Sequence, residues 1–209
     1  MGIEIPQNKF LILDGAMGTV LQQRGLSPQG RPELLNLTEP ELLDSVYKEY
    51  IAAGSQVIYA NTFGANGLKL AKTGHSVEEV VGAAIAVAKK AAAGTGTLVA
   101  LDVGPLGELL EPMGTLSFER AYDLFREMAE AGAKAGADLI VVETMTDLYE
   151  AKAALLAAKE AAHLPVFVTM SFDAGGRTFT GCTVASMART LEGLGADAIG
   201  LNCSLGPDL

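Results

Sequence analysis

The chain has 209 residues, 49% of them apolar, with 25 acidic against 15 basic side chains and a net charge of −10. That is enough apolar material for one domain with a sizeable core, and too few Lys and Arg clusters to neutralise a nucleic-acid backbone. Two cysteines make no disulfide framework, no apolar run reaches the ~18 residues of a membrane span, and the first residues do not read as a signal peptide, so a cytoplasmic protein without membrane or nucleic-acid partners is expected.

Short apolar runs alternate with Ala-rich stretches along the chain. FLIL (10–13) ends on Asp14-Gly15 and enters AMGTVLQQRG, a short helix. Thr38 with Glu41 fits a capping box around Pro40, and the helix it opens closes near Gly54. VIYA (57–60) follows, tipped by Asn61-Thr62. Ser76 with Glu79 fits a second capping box before LVAL (98–101), whose tip is Asp102-Val103-Gly104. Ser117 reads as an N-cap, and KAGAD closes that helix before LIVV (139–142) and its tip Glu143-Thr144. The next helix ends at His163 before VFVTM (166–170), tipped by Ser171 and Asp173. SFDAGGRTFTG (171–181) suggests a small hairpin. Thr183 caps a last helix, GLGAD closes it, and AIGL (198–201) runs into LNCSLGP, with Asn202-Cys203 at its tip.

Continuous apolar runs, rather than alternating ones, are expected of parallel strands covered on both faces. The fold class is therefore α/β, and two closures compete: a doubly wound sheet and a (β/α)8 barrel. DGAMGT lacks the full glycine pattern of a dinucleotide turn. Every strand tip carries polar residues or glycine, which favours the barrel, where all tips meet on one face. Only about six of eight βα units are recognised, so residues 1–209 read as a barrel domain lacking its last two units.

The tips carry the candidate chemistry. Asp14 and Glu143 could act as acid and base or hold a cationic group such as an ammonium; alternatively, Asp14 caps a turn and Glu143 pairs with a basic residue. Free N–H groups around Gly15, Ala16 and Gly18 suit a carboxylate, or simply form a tight turn. Asn61, Thr62, Phe63 and Asn66 could line a pocket or shape a turn. Cys203 is open to three readings: nucleophile, metal ligand or inert thiol. Cys182 precedes an N-cap and reads as an incidental thiol; His75 and His163 read as surface residues. With no Cys-x-x-Cys or dense Cys/His cluster, this sequence supplies no standard zinc site by itself.

DGAMGT, ANTFGAN, DVGPLGELLEPMG, ETMTDLYEAKAAL and GLNCSLGP together resemble the homocysteine S-methyltransferase family, in order and over essentially the whole chain. Within it, the chain looks most like the homocysteine-binding module of cobalamin-dependent methionine synthase. The resemblance implies a (β/α)8 barrel with zinc on three cysteine thiolates. Cys203 matches the first ligand, and two further cysteines are expected beyond Leu209, so these 209 residues alone are expected to be inactive. A free thiol, with a pKa near ~8.5, is mostly protonated at neutral pH. Zinc removes that proton, which prepares the homocysteine sulfur for attack on a methyl group. By the same resemblance the donor is methylcobalamin held by another module, with cobalamin and folate modules as partners in the same enzyme or as separate subunits. Betaine and S-methylmethionine are the donors in other branches. Glu143 and Asp14 would hold the homocysteine ammonium, Gly15 and Ala16 its carboxylate, and Asn61, Asp102, Gly104 and Asn202 would line the pocket.

Overall fold

A parallel strand cannot return to its neighbour by a hairpin, so each apolar run must be followed by a crossover, which the Ala-rich stretches supply. The computed structural model describes residues 10–27, 30–204 and 206. Leu205 and Pro207 of the LNCSLGP stretch lie outside the described residues. The elements run α1 (Met17–Gln23), a 3-10 turn (Pro32–Leu34), α2 (Leu35–Thr38), α3 (Pro40–Ala52), β1 (Val57–Tyr59), α4 (Gly67–Leu70) and α5 (Val77–Ala92). Then follow β2 (Leu98–Val103), α6 (Phe118–Ala135), β3 (Leu139–Met145), α7 (Leu148–Ala162), β4 (Val166–Met170), α8 (Val184–Gly193) and β5 (Ala198–Leu201).

The five strands are parallel and lie in the order β1-β2-β3-β4-β5. Each pairs with the next, as in a (β/α) barrel; a doubly wound sheet would reverse direction at a switch point. The expected first strand, FLIL, is reduced to a single bridge from Leu13 to Val57, supported by Asp14 N–H to Val57 O at 3.0 Å and Gln56 N–H to Ile12 O at 2.7 Å. The reason lies in its position. It has a sheet partner on one side only among the described residues, and Phe10 and Ile12 are 88% and 49% exposed. On the opposite flank, Leu201 of β5 is 55% exposed. The arc therefore carries apolar side chains on both flanks.

The unbroken apolar runs divide by parity once folded. Ile58, Val99, Leu101, Ile140, Val142, Val166 and Val168 pack against the helices. Val57, Ala100, Leu139, Val141 and Phe167 form a second, smaller cluster on the inner face, joined by Leu11, Tyr59, Leu98 and Ala198. Helix α6 comes so close to β2 that a Cβ on Gly132 would lie 2.7 Å from the Leu101 side chain.

The recurrent Gly-Ala-Asp closures have a double function. Gly136 and Gly195 take positive φ (93° and 84°), the left-handed turn that ends a helix at no steric cost. The aspartate two residues on then grips the neighbouring strand. Asp138 accepts from Val99 N–H at 2.7 Å and pairs with Lys89, and its own N–H donates to Val99 O at 2.8 Å. Asp197 does the same to Val166, at 2.8 Å in both directions, and pairs with Lys159. Gln56 repeats the device on Ile12, its Oε1 accepting Ile12 N–H at 3.0 Å.

Ser76, Ser117 and Thr183 cap their helices as expected, accepting from Glu79, Arg120 and Ser186 N–H. His163 closes α7 in a left-handed turn at φ 51°. Two local expectations fail. Thr38 caps nothing, because Leu35–Thr38 is itself helical and its hydroxyl turns back to Leu34 O; Glu39 stands at the start of α3 without a side-chain cap. Residues 171–181 form tight turns rather than a hairpin of strands. The Asp173 carboxylate accepts from Gly175 and Arg177 N–H at 2.8 and 3.0 Å, and Gly176 and Gly181 take positive φ, leaving one bridge from Arg177 to Thr183. Among the described residues no helix is long and apolar enough to cross a membrane.

Glu150 on α7 is buried beneath the loop after β2, where its Oε1 accepts Leu106 N–H at 2.7 Å. Burial pushes its carboxyl from 4.5 up to about 7, against the opposing pull of the Leu106 N–H. Between those values the folded chain holds a proton that the unfolded chain has released, so this group makes stability fall as pH rises through the window. Glu150→Gln keeps the acceptor and removes the titration. It is expected to stabilise the protein by about 1–3 kcal/mol at pH 8 and by much less at pH 4.5, as measured by urea unfolding at both pH values.

Candidate active site

At the C-terminal ends of the strands the inner face turns from apolar to acidic. Asp102, the last residue but one of β2, is in register with Val141 and is 7% exposed. Glu143 follows on β3, where the pairing with β4 slips between Val142 and Met145. This bulge puts Thr144 at φ 59°, a conformation that costs a β-branched residue about 1–3 kcal/mol and that is found where surrounding contacts over-determine it. Asp14, just past the first bridge, accepts Tyr59 N–H on its Oδ2 at 2.9 Å.

The three carboxyls sense one another. Burial raises the Asp14 carboxyl from 3.8 to about 7, the Tyr59 N–H opposes this, and the Glu143 charge adds to it. Asp102 is raised by burial first and then by the Glu143 and Asp14 charges; Glu143 is raised by burial. Among the described residues no basic side chain pairs with any of the three. Asp14 Oδ1 and Asp102 Oδ1 are buried without a hydrogen-bond partner. Unpaired buried charge is costly, so such a cluster either holds protons or meets a cationic group.

The exposed Cys203 stands next to this cluster on the β5 tip, at φ 46°. The Thr144 hydroxyl donates to its Sγ at 3.7 Å. Cys182 has different surroundings. Its thiol donates to Thr183 O at 3.3 Å, burial raises its pKa, and it lines a cavity of about 800 Å³ with Leu110, Met113, Leu148, Tyr149 and Lys152. None of the residues that contact Cys203 lines that cavity.

Gly15 and Ala16 are exposed at the start of α1, where Ala16 provides no side-chain cap and the Tyr50 hydroxyl donates to Ala16 O at 3.2 Å. Gly15 is closely approached there: a Cβ would lie 2.9 Å from the Tyr50 ring, which would have to shift. Asn61 is committed to scaffolding, donating to Pro32 O at 2.6 Å while its N–H donates to the buried Tyr47 hydroxyl at 2.8 Å. Thr62 ties the β1 and β2 tips, donating to Asp102 O at 2.7 Å and accepting Asp102 N–H at 3.0 Å. Asn66 caps α4 through Lys69 N–H. Gly104 lies under Phe63, and Lys69 Nζ lies over that ring, 5.6 Å from its centre. His75 meets Glu79 on the surface at 3.0 Å.

Three further residues contribute to the site beyond the candidate ligands. Tyr59 faces inward by strand parity, and burial followed by the three carboxylates raises its phenol pKa. Thr144 needs the bulge to reach Cys203. Thr169 meets the site only through its 2.9 Å bond to Asn202 Oδ1. Parity counted from Val57 would have found Tyr59; nothing along the chain announces the bulge.

A family model described as homocysteine S-methyltransferase matches residues 11–209. Methionine synthases of Mycobacterium tuberculosis and Mycobacterium leprae are each 32% identical over 98% of this chain. The chain spans 19% and 18% of their respective lengths. The homocysteine methyltransferase MmuM from Escherichia coli, solved in a metallated form, superposes with a TM-score of 0.81 at 26% identity, covering 94% of this chain and 75% of that one.

The site loop supplies a direct test of packing. A Cβ on Gly104 would lie 2.5 Å from the Phe63 ring, and the Phe63 backbone carbonyl accepts Gly104 N–H at 3.1 Å. Gly104→Ala is expected to cost about 1–3 kcal/mol in thermal unfolding, as overpacking does. Adding Phe63→Leu should recover part of that loss in a double-mutant comparison; additive losses would show that the clash does not set the cost.

Proposed function

The chain belongs to the homocysteine S-methyltransferase family, and on that premise we propose that the strand tips bind homocysteine and present its thiol for methylation to methionine. The observation that carries this reading is the cluster of buried Asp102 with half-buried Asp14 and Glu143, lacking a basic partner among the described residues, beside the exposed thiol of Cys203. A substrate with an ammonium at one end and sulfur at the other matches both features. The ammonium carries three donors, and Asp14 Oδ1 and Asp102 Oδ1 are acceptors without partners. Glu143 and Asp14 hold that group, Asp102 and Gly104 wall it, and the uncapped first N–H groups at Gly15–Ala16 receive the substrate carboxylate. Because Asp14 is half-protonated near pH 7, an arriving ammonium displaces its proton, and binding strengthens as pH rises through that value while the substrate amine stays charged.

The metal expected from the resemblance is only partly provided for. A zinc site takes at least three protein ligands, and among the described residues no three His, Cys, Asp or Glu side chains are grouped to hold a metal ion. Cys203 supplies one ligand of such a centre, not the centre. A polypeptide of these 209 residues is accordingly expected to hold zinc poorly and to turn over little. The donor in this reading is methylcobalamin held by another module; relatives named methionine synthase, of whose length this chain spans about a fifth, support methionine as the product.

The reading is tested by titrating the intact protein with homocysteine and by following methionine formation from methylcobalamin; absence of homocysteine binding would overturn it. Glu143→Gln removes a charge-assisted hydrogen bond worth about 1.5–3 kcal/mol, so homocysteine affinity should fall at least about tenfold with metal content unchanged. Cys203→Ser in the intact protein should lose zinc, measured by atomic absorption, while Cys182→Ser keeps it.

A further inference from the structure

Asn202 was expected to line the substrate pocket, yet its amide has no capacity left for a substrate. A carboxamide offers two donor and two acceptor positions. Its Oδ1 accepts Thr144 N–H at 3.0 Å and the Thr169 hydroxyl at 2.9 Å. Its Nδ2 donates to Glu143 Oε2 at 3.1 Å and to Thr144 Oγ1 at 2.8 Å. The same nitrogen lies 3.8 Å from Cys203 Sγ. One side chain on the β5 tip therefore touches the β3 bulge, β4, the carboxylate that faces the cationic end and the thiol at the sulfur end.

The backbone on both sides is held by the same contacts. Thr144 and Cys203 are non-glycine residues at positive φ, 59° and 46°, and both meet the Asn202 amide. The residue itself is anchored from below. Ser171 and Ser204 hydroxyls both donate to Asn202 O, at 2.9 and 3.0 Å, and Asn202 N–H donates to Met170 O at 3.3 Å. A side chain so anchored and so fully bonded cannot swing to meet a ligand. It can only fix the groups around it.

We propose that Asn202 is a positioning residue that holds the Glu143 carboxylate and the Cys203 thiol at one separation, so that the site measures the distance from ammonium to sulfur in an amino-acid thiol. This rests on the homocysteine reading above and extends it to selectivity: homocysteine exceeds cysteine by one methylene, and a fixed span accepts one length. Replacing Asn202 frees the bulge, lets the two ends drift and blurs that measurement. Aspartate in its place would set a carboxylate oxygen against Glu143, where the amide now donates, and should push the ends apart.

Two measurements on the intact protein test this. The first is kcat/KM for homocysteine and for cysteine in the parent, Asn202→Ala and Asn202→Asp. One methylene in a fixed site is worth roughly 10–200-fold; the preference for homocysteine should collapse to within about threefold in both variants. Loss of fold alone would lower both substrates together and leave the ratio intact. The second uses no substrate. In metal-stripped protein, Cys203 is labelled with cationic 2-aminoethyl methanethiosulfonate and with the anionic 2-sulfonatoethyl reagent, read by mass spectrometry of the Cys203 peptide. The nearby carboxylates should favour the cation at least about tenfold in the parent, and the ratio should drop about threefold or more in Asn202→Ala. Should Asn202→Ala fail to fold, Thr169→Val removes one bond to Oδ1 and should shift both ratios in the same direction. Unchanged ratios in folded variants overturn the proposal while leaving the homocysteine reading intact. If the parent does not bind homocysteine, that reading fails, and the labelling ratio alone decides whether Asn202 holds the two ends together.

Discussion

A parallel sheet has no hairpins to set its register, and a slip of one residue would turn every inner side chain outward. Here register is set at the N-terminal ends of the strands by side chains that grip the neighbouring backbone. Asp138 holds Val99, Asp197 holds Val166 and Gln56 holds Ile12. The two aspartates are further fixed by Lys89 and Lys159 from the preceding helices, which locks helix, turn and strand together. Everything at the opposite ends of the strands follows from this. With the strand starts pinned, Tyr59, Asp102 and Glu143 arrive on the inner face together.

That arrival carries a cost which the helix layer offsets. Three carboxyls without a basic partner are a poor way to stabilise a protein. They are tolerated because the residues one step along each strand, Ile58, Leu101, Val142 and Val168, are fully or almost fully buried against α3, α5, α6 and α7. Alanine-rich helices and Gly132 allow those helices to pack closely on the strands. The apolar outer layer thus supports an acidic inner rim, and the division between the two is one of strand parity alone.

A second set of ties, outside the rim, keeps the loops from collapsing into the acidic cluster. Thr62 joins β1 to β2, Phe63 covers Gly104, Lys69 donates to Pro105 O at 2.8 Å and Glu150 catches Leu106. These groups were candidates for lining a pocket or had no assigned role. Their bonds show that they shape the walls. Among the described residues the rim itself has one latch of comparable reach, the Asn202 amide, and the two non-glycine residues of positive φ at the site both lie against it.

What the sequence determined by itself is the periodic part. Continuous apolar runs separated by capped helices specified parallel βα units, and polar residues at each tip specified one reactive face, because these features are local and repeat. The glycines before β1, β3 and β5 declared their left-handed turns for the same reason. The family could be read from motifs such as DGAMGT and GLNC, which keep their spacing along the chain. Tertiary structure alone decided which tip residues are free and which are bound. Asn61, Thr62 and Asn202 look like ligands in one dimension, but Asn61 and Thr62 are tied to groups 14 to 40 residues away and the Asn202 amide is fully bonded to groups 33 to 59 residues away. It also decided that FLIL is an edge bridge rather than a full strand, and that β3 bulges at Thr144, since each depends on what lies across the sheet and not on what lies next in the chain.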